Sequence, residues 1–257
     1  AAGGEGEPDQ LLQGRILRFC LQAAALQVLN LVVWDRSEML FLERFSDIRQ
    51  VAFYSISFGI TQHLLTAPRA FGYAASTNLM VRVGEDESAA RGMTATIVRF
   101  TSLIALPLAF GMAALSGPVV RLLYGAQYLP AIPVLAILAM FNSARALVMP
   151  GQQLLTALDK QSVVLKRLAI AAAVNIGLDL ALIPRFGAVG GAVANGCAQT
   201  FCLILIWRGA IRHAGAVFPT GKLLRIGAAA ILMTLGVAGL VWILPSLAAA
   251  LLGVPLG

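Results

Sequence analysis

Long apolar runs separated by short polar clusters organise this chain. Phe100–Val120, Leu122–Ala144, Phe186–Trp207 and Ile226–Leu244 contain no charged residue. Each reaches or approaches the ~20 apolar residues that cross a hydrocarbon core as a helix. The runs do not alternate polar with apolar positions, as the strands of a membrane barrel would. Backbone groups in lipid must be satisfied within their own segment, so these runs predict helices. The spans expected are Ile16–Phe41, Ile48–Arg82, Met93–Leu115, Ala131–Leu158, Val163–Ile183, Ala188–Arg208 and Leu223–Leu244. The expected fold is therefore all-α: a polytopic membrane bundle of about seven transmembrane helices.

Turn signals separate the spans. Gly84–Ser88 divides the second from the third. Ser116-Gly117-Pro118 ends the third, and Tyr124–Pro130 follows a short re-entry before the fourth. Pro184-Arg185-Phe186-Gly187 makes a tight turn between the fifth and sixth. Pro150-Gly151 predicts a break inside the fourth, and Pro68 a kink inside the second. Residues 1–14 are polar, lack an initiator Met and a signal-peptide pattern, and read as a linker to a transmembrane lobe at 15–257. Pro245–Gly257 holds another partial apolar run, so a piece of a longer protein is expected.

Composition supports the membrane class. Hydrophobic residues make up 59% of the chain and charged residues 12%, against about 25% charged in an ordinary soluble domain. A water-soluble globular domain, a disordered chain and a coiled coil are excluded. The net charge of +7 reads first as topology. Twelve Lys and Arg fall on the side of Arg15, Arg82, Lys160 and Arg208, and five on the side of Arg44, Arg121 and Arg185. The first side is expected to be cytoplasmic. No dense basic tract tracks a phosphate backbone, so no nucleic-acid partner is expected. Cys20, Cys197 and Cys202 show no metal-ligand spacing and read as small membrane-buried residues. No metal or other cofactor is expected.

Polar side chains inside spans carry the functional expectations, because inserting them is costly. Ser55, Gln62, Arg69 and Ser76 recur every seven residues and form one helical stripe. The stripe either lines a wet cavity or holds Arg69 against a carboxylate as structural glue. Asn142, Arg145, Gln152, Thr156 and Asp159 repeat the pattern in the fourth span, as cavity lining or as helix–helix hydrogen bonds. Asn175 and Asp179 share a face. Asp179 can pair with an arginine, bind a coupling cation or carry a proton. At the end of the first span, Trp34-Asp35-Arg36-Ser37-Glu38 is either an interfacial collar or the outer lining of a cavity. His63 reads as a packing residue. The small-residue run Gly187–Gly196 suits close helix packing. No catalytic constellation appears, so an enzyme is not expected.

Several stretches in order, WDRSEMLFLERFSD, VAFYSISFGI, LLYGAQYLPAIPVLAILA, LLTALDK and NIGLDLALIPRFGAVGGAVAN, carry a resemblance. Together they resemble the C-terminal half of bacterial oligosaccharide flippases of the polysaccharide-biosynthesis family, within the superfamily that includes MATE exporters and the lipid II flippase. The resemblance covers roughly residues 15–245. It implies one lobe of a two-lobed, multi-pass protein of the bacterial inner membrane, with membrane lipid around it and a missing N-terminal lobe as partner. The implied activity is alternating-access transport of a polyprenyl-diphosphate-linked oligosaccharide, often driven by an ion gradient.

Physical reasoning adds candidate residues that the family motif does not fix. Arginine presents a fork that matches phosphate oxygens, and Arg69 and Arg145 are the basic residues deepest in spans. Ser55, Gln62, Asn142 and Gln152 can hydrogen-bond sugars. Asp179, Glu38 and Asp35 are the candidates for ion coupling. A MATE-type drug or cation antiporter is an alternative, but it should show acids, not arginines, in the cavity. A membrane polysaccharide polymerase or ligase is another, but the outer connections here are too short for its catalytic loop.

Overall fold

The structure is a computed structural model, and it describes residues 10–29 and 37–243. The described residues form helices α1 (Gln10–Leu29), α2 (Ser37–Phe45), α3 (Ile48–Leu64), α4 (Thr66–Glu85), α5 (Glu87–Tyr124), α6 (Ile132–Ala157), α7 (Gln161–Ala214) and α8 (Thr220–Ile243), with a 3-10 turn at Ala126–Ala131. No strand occurs among them. Four stretches, Ser88–Tyr124, Ala126–Ala157, Gln161–Ala214 and Thr220–Val237, are long and apolar enough to cross a membrane. The all-α polytopic fold expected from the apolar runs is the fold observed.

Helix α7 is two spans folded back on each other. Unbroken, its 54 residues would run about 80 Å, far more than one hydrocarbon core. Gly187 adopts φ 55° and ψ −134°, which breaks the helix where the Pro-Arg-Phe-Gly turn was expected. A positive φ strains any side-chain-bearing residue, so glycine suits this position. Its neighbour Ala188 donates its backbone N–H to Gln50 Oε1 at 3.0 Å, which ties the turn to the start of α3.

Prolines act differently from the expectation in two of three places. The kink before Arg69 is real, but it falls at Leu65, where α3 ends and α4 begins. Pro68 then sits in the first turn of α4, where its missing N–H costs least. Pro118 does not end α5, which continues through Ser116-Gly117-Pro118 to Tyr124. Pro150 does not break α6 either. There the indole N–H of Trp207 donates to the Leu147 carbonyl at 2.9 Å, in the turn that Pro150 loosens.

Other boundaries moved by a few residues. Gln10–Gly14, expected in the linker, already belong to α1. Residues 1–9, and the C-terminal run from residue 244 on, lie outside the described residues. Between α4 and α5 the connection shrinks to Asp86. Its carboxylate accepts from the Ser88 hydroxyl at 3.0 Å and from the Ser88 amide at 2.7 Å. Those two bonds, the hydroxyl's first, hold the Asp86 carboxyl below the usual aspartate range.

Helix α6 runs through the middle of the bundle and contributes to two apolar cores. Near its start, Leu135 and Leu138 pack with Leu42, Tyr54, Ile183 and Ala192. Near its end, Leu154 and Leu155 pack with Val98, Val164, Ile206 and Trp207. Buried hydroxyls turn back onto their own helices: Ser57 donates to the Phe53 carbonyl at 2.7 Å and Thr61 to the Phe58 carbonyl at 2.8 Å. Large apolar side chains face outward, Leu224 at 74% exposure and Leu232 at 70%. A membrane protein presents such a surface to lipid or to a further membrane-embedded surface.

Candidate functional site: an acidic cluster and a basic cavity

The two arms of α7 bring one polar cluster together. Asp179 and Asn195 each lie about eight residues from the Gly187 turn, some 12 Å along their arms at 1.5 Å per residue. Asn175 is one turn deeper. Facing them, α2 supplies Ser37 and Glu38. Asn195 Nδ2 donates to Glu38 Oε1 at 2.6 Å. Asn175 Nδ2 reaches Glu38 Oε1 at 3.1 Å, Ser37 Oγ at 3.2 Å and Asp179 Oδ2 at 3.3 Å. Ser37 Oγ donates to Asp179 Oδ2 at 3.3 Å. Glu38, Asn175, Asp179 and Asn195 are all at or below 1% exposure. Two acceptor oxygens here, Asp179 Oδ1 and Asn175 Oδ1, have no hydrogen-bond partner. Asp179 hydrogen-bonds to Ser37 and Asn175; it is not paired with Arg69.

A second polar region opens as a cavity of about 480 Å3. Arg69 and Tyr73 of α4, Arg145 and Gln152 of α6, Gln27 of α1, and Gln199 and Cys202 of α7 line it. The sevenfold spacing from Arg145 to Gln152 places both on the cavity side of α6. Gln199 is at 3% exposure, and its Nε2 has no hydrogen-bond partner. Tyr54 is buried in the apolar core with Ile183 and Ala192, and its hydroxyl has no hydrogen-bond partner.

Of the six residues expected to line a substrate cavity, Arg69, Arg145 and Gln152 share this one cavity. Ser55 lines a different groove, of about 620 Å3, together with His63 and Tyr124. The kink at Leu65 separates the two halves of the stripe, so the seven-residue repeat does not carry one face from Ser55 to Arg69. Gln62 is half-buried and lines neither space. Asn142 is at 2% exposure inside the bundle, with neither amide atom hydrogen-bonded. Asp35 lies outside the described residues, as do Asn30 and Trp34. Cys20 and Cys197 lie on the outer surface of their helices and Cys202 is buried inside the bundle.

Asn195 and Gln199 were not anticipated. They lie four residues apart, hence on one face of the second arm, and that spacing was available in the sequence. The glycine and alanine run around them masked it, because small residues read as packing. Among the described residues no group of three or more His, Cys, Asp or Glu is placed to hold a metal.

Comparison with known proteins agrees with this architecture. Residues 12–133 match the family model described as "Polysaccharide biosynthesis protein". An uncharacterized membrane protein of Methanocaldococcus jannaschii, MJ1068, is 29% identical over 111 residues, which is 42% of this chain and 20% of that protein. The solved structure of the lipid II flippase MurJ in its inward closed conformation superposes with a TM-score of 0.69 at 18% identity, covering 84% of this chain and 45% of that one. The chain thus spans less than half the length of each of these two proteins. It is a multi-pass membrane protein with a flippase-like fold, and its residues 12–133 carry the pattern of the polysaccharide biosynthesis family.

Proposed function

We propose that this chain forms one lobe of a transporter that flips a polyprenyl-diphosphate-linked oligosaccharide across the bacterial inner membrane by alternating access. The observation that carries the reading is the meeting of Arg69 and Arg145 in one cavity with Gln152 and Gln199. A diphosphate entering hydrocarbon needs charge-assisted donors, and two guanidinium forks match its oxygens. The glutamines offer both donors and acceptors to sugar hydroxyls. A second, N-terminal lobe would close the cavity from the other side.

In this reading the buried cluster of Glu38, Asn175 and Asp179 couples transport to a small cation. The two acceptor oxygens without partners, Asp179 Oδ1 and Asn175 Oδ1, are what a hard cation would use.

The test is restoration of surface polysaccharide in a flippase-deficient strain by the full-length gene, with membrane abundance followed in parallel. Arg69→Ala is expected to abolish restoration at near-normal abundance. Arg69→Lys should restore partly, since an ammonium keeps the charge and loses the fork. Full restoration by Arg69→Ala would overturn the reading.

A further inference from the structure

Three arginines converge at the end of α7 opposite the Gly187 turn. Arg167 lies on the first arm and Arg208 on the second, each about 20 residues from the turn, or about 30 Å along the helix. That length matches the ~30 Å hydrocarbon core. With the turn at one boundary of the membrane, the three guanidinium groups stand at the headgroup level of the other.

Their placement is specific. Arg167 is half-buried, and its Nη1 donates to the Leu205 carbonyl at 2.6 Å. Its side chain crosses Gly209 so closely that a β-carbon there would lie 2.7 Å from Nε. Arg208 and Arg212 are exposed and four residues apart on one face of the second arm, and their charges act on Arg167. Like charges at this spacing repel and weaken a helix. An anion held among the three relieves that repulsion. Below the arginines, toward the turn, Ile170 and Ile204 are half-exposed, one on each arm. Ile170 lies three residues after Arg167, and Ile204 four before Arg208, so each shares a face with its arginine. A cationic group at headgroup level over an apolar helical face is matched by a lipid, whose phosphate and acyl chains are joined at the same depth.

We propose that Arg167, Arg208 and Arg212 bind the phosphate of an anionic phospholipid, with its chains along Ile170 and Ile204. This site is distinct from the Arg69–Arg145 cavity and does not depend on the transport reading. It adds a specific lipid contact to the general excess of basic residues on that side.

The experiment uses the purified full chain, delipidated in a neutral maltoside detergent. Thermal unfolding is followed by tryptophan fluorescence with phosphatidylglycerol, phosphatidylcholine or inorganic phosphate added. Phosphatidylglycerol is expected to raise the midpoint by several degrees, as any ligand selective for the native state does; phosphatidylcholine and inorganic phosphate should not. The Arg208→Gln/Arg212→Gln double variant should lose that increment, with its midpoint in phosphatidylcholine level with the parent's or slightly higher because the repulsion is gone. Native mass spectrometry should show fewer retained phosphatidylglycerol molecules on the double variant than on the parent. An equal increment in parent and double variant overturns the site. An equal increment from inorganic phosphate overturns the lipid as its ligand. Loss of the increment in Arg69→Gln instead, with the double variant unaffected, moves the lipid to the cavity and overturns the proposal.

Discussion

The acidic cluster and the basic cavity use opposite physical solutions to the same problem, polar groups inside a membrane bundle. Around Glu38 and Asp179 the solution is closure. Both carboxyls are at or below 1% exposure, and amides and a hydroxyl from α2 and both arms of α7 hold them. Around Arg69 and Arg145 the solution is space: a cavity of about 480 Å3 with glutamines on its walls. A closed site is built into the folded state and should resist change through stability. An open site meets its ligand transiently and should resist change through activity. The two regions should therefore respond differently to substitution.

The largest expected effect is on the closed side. Glu38→Ala removes the acceptor shared by Asn175 and Asn195; Asn195 Nδ2 is left buried without it, while Asn175 Nδ2 keeps Ser37 and Asp179. Side-chain hydrogen bonds in membrane bundles are worth about 0.6–1.7 kcal/mol each, so roughly 1–3 kcal/mol should be lost. Membrane abundance and the thermal midpoint should fall together. Glu38→Gln keeps an acceptor oxygen and should recover much of the abundance, yet it removes the charge that a coupled cation needs. Transport that stays ion-dependent in Glu38→Gln would separate the cluster from coupling and leave it a structural knot.

Substitution on the open side should show the inverse. Arg145→Ala empties part of a cavity wall, and abundance should hold. Transport should drop by tenfold or more if Arg145 contacts phosphate, since a charged hydrogen bond is worth about 1.5–3 kcal/mol. Arg145→Lys should fall between. A collapse of abundance in Arg145→Ala would erase the distinction between the two regions and make Arg145 part of the scaffold.

The sequence showed both regions unequally, for physical reasons. Apolar runs report burial in lipid directly, so the helical class and the Pro184–Gly187 turn were legible. The four-residue spacing of Asn175 and Asp179 put them on one face, and the turn between two equal arms was enough to bring Asn195 opposite. What was not legible is long-range compensation. Pro150 reads as a breaker, yet a tryptophan far along the chain bonds the carbonyl of Leu147 in the turn before it. The stripe from Ser55 to Ser76 obeys a heptad, but across the break at Leu65 Ser55 lines one groove and Arg69 a different cavity. Periodicity assumes an unbroken helix, and proline cancels that assumption without announcing where.

Gln199 provides the finest test, because it combines features of both regions. It is as dry as the acidic cluster, at 3% exposure, yet it lines the basic cavity and its Nε2 has no hydrogen-bond partner. A buried donor without an acceptor costs stability, and a fold retains such a cost most readily where it serves a ligand. Gln199→Leu removes the orphan at similar volume. The thermal midpoint should stay level or rise, corresponding to roughly 0–1 kcal/mol. Transport should fall modestly, by less than in Arg145→Ala, because a neutral hydrogen bond is worth less than a charged one. Higher stability with lower transport would mark Gln199 as a ligand donor held ready in the free protein. Unchanged transport with the same gain in stability would make it a packing residue of α7, and the cavity's chemistry would then rest on Arg69, Arg145 and Gln152.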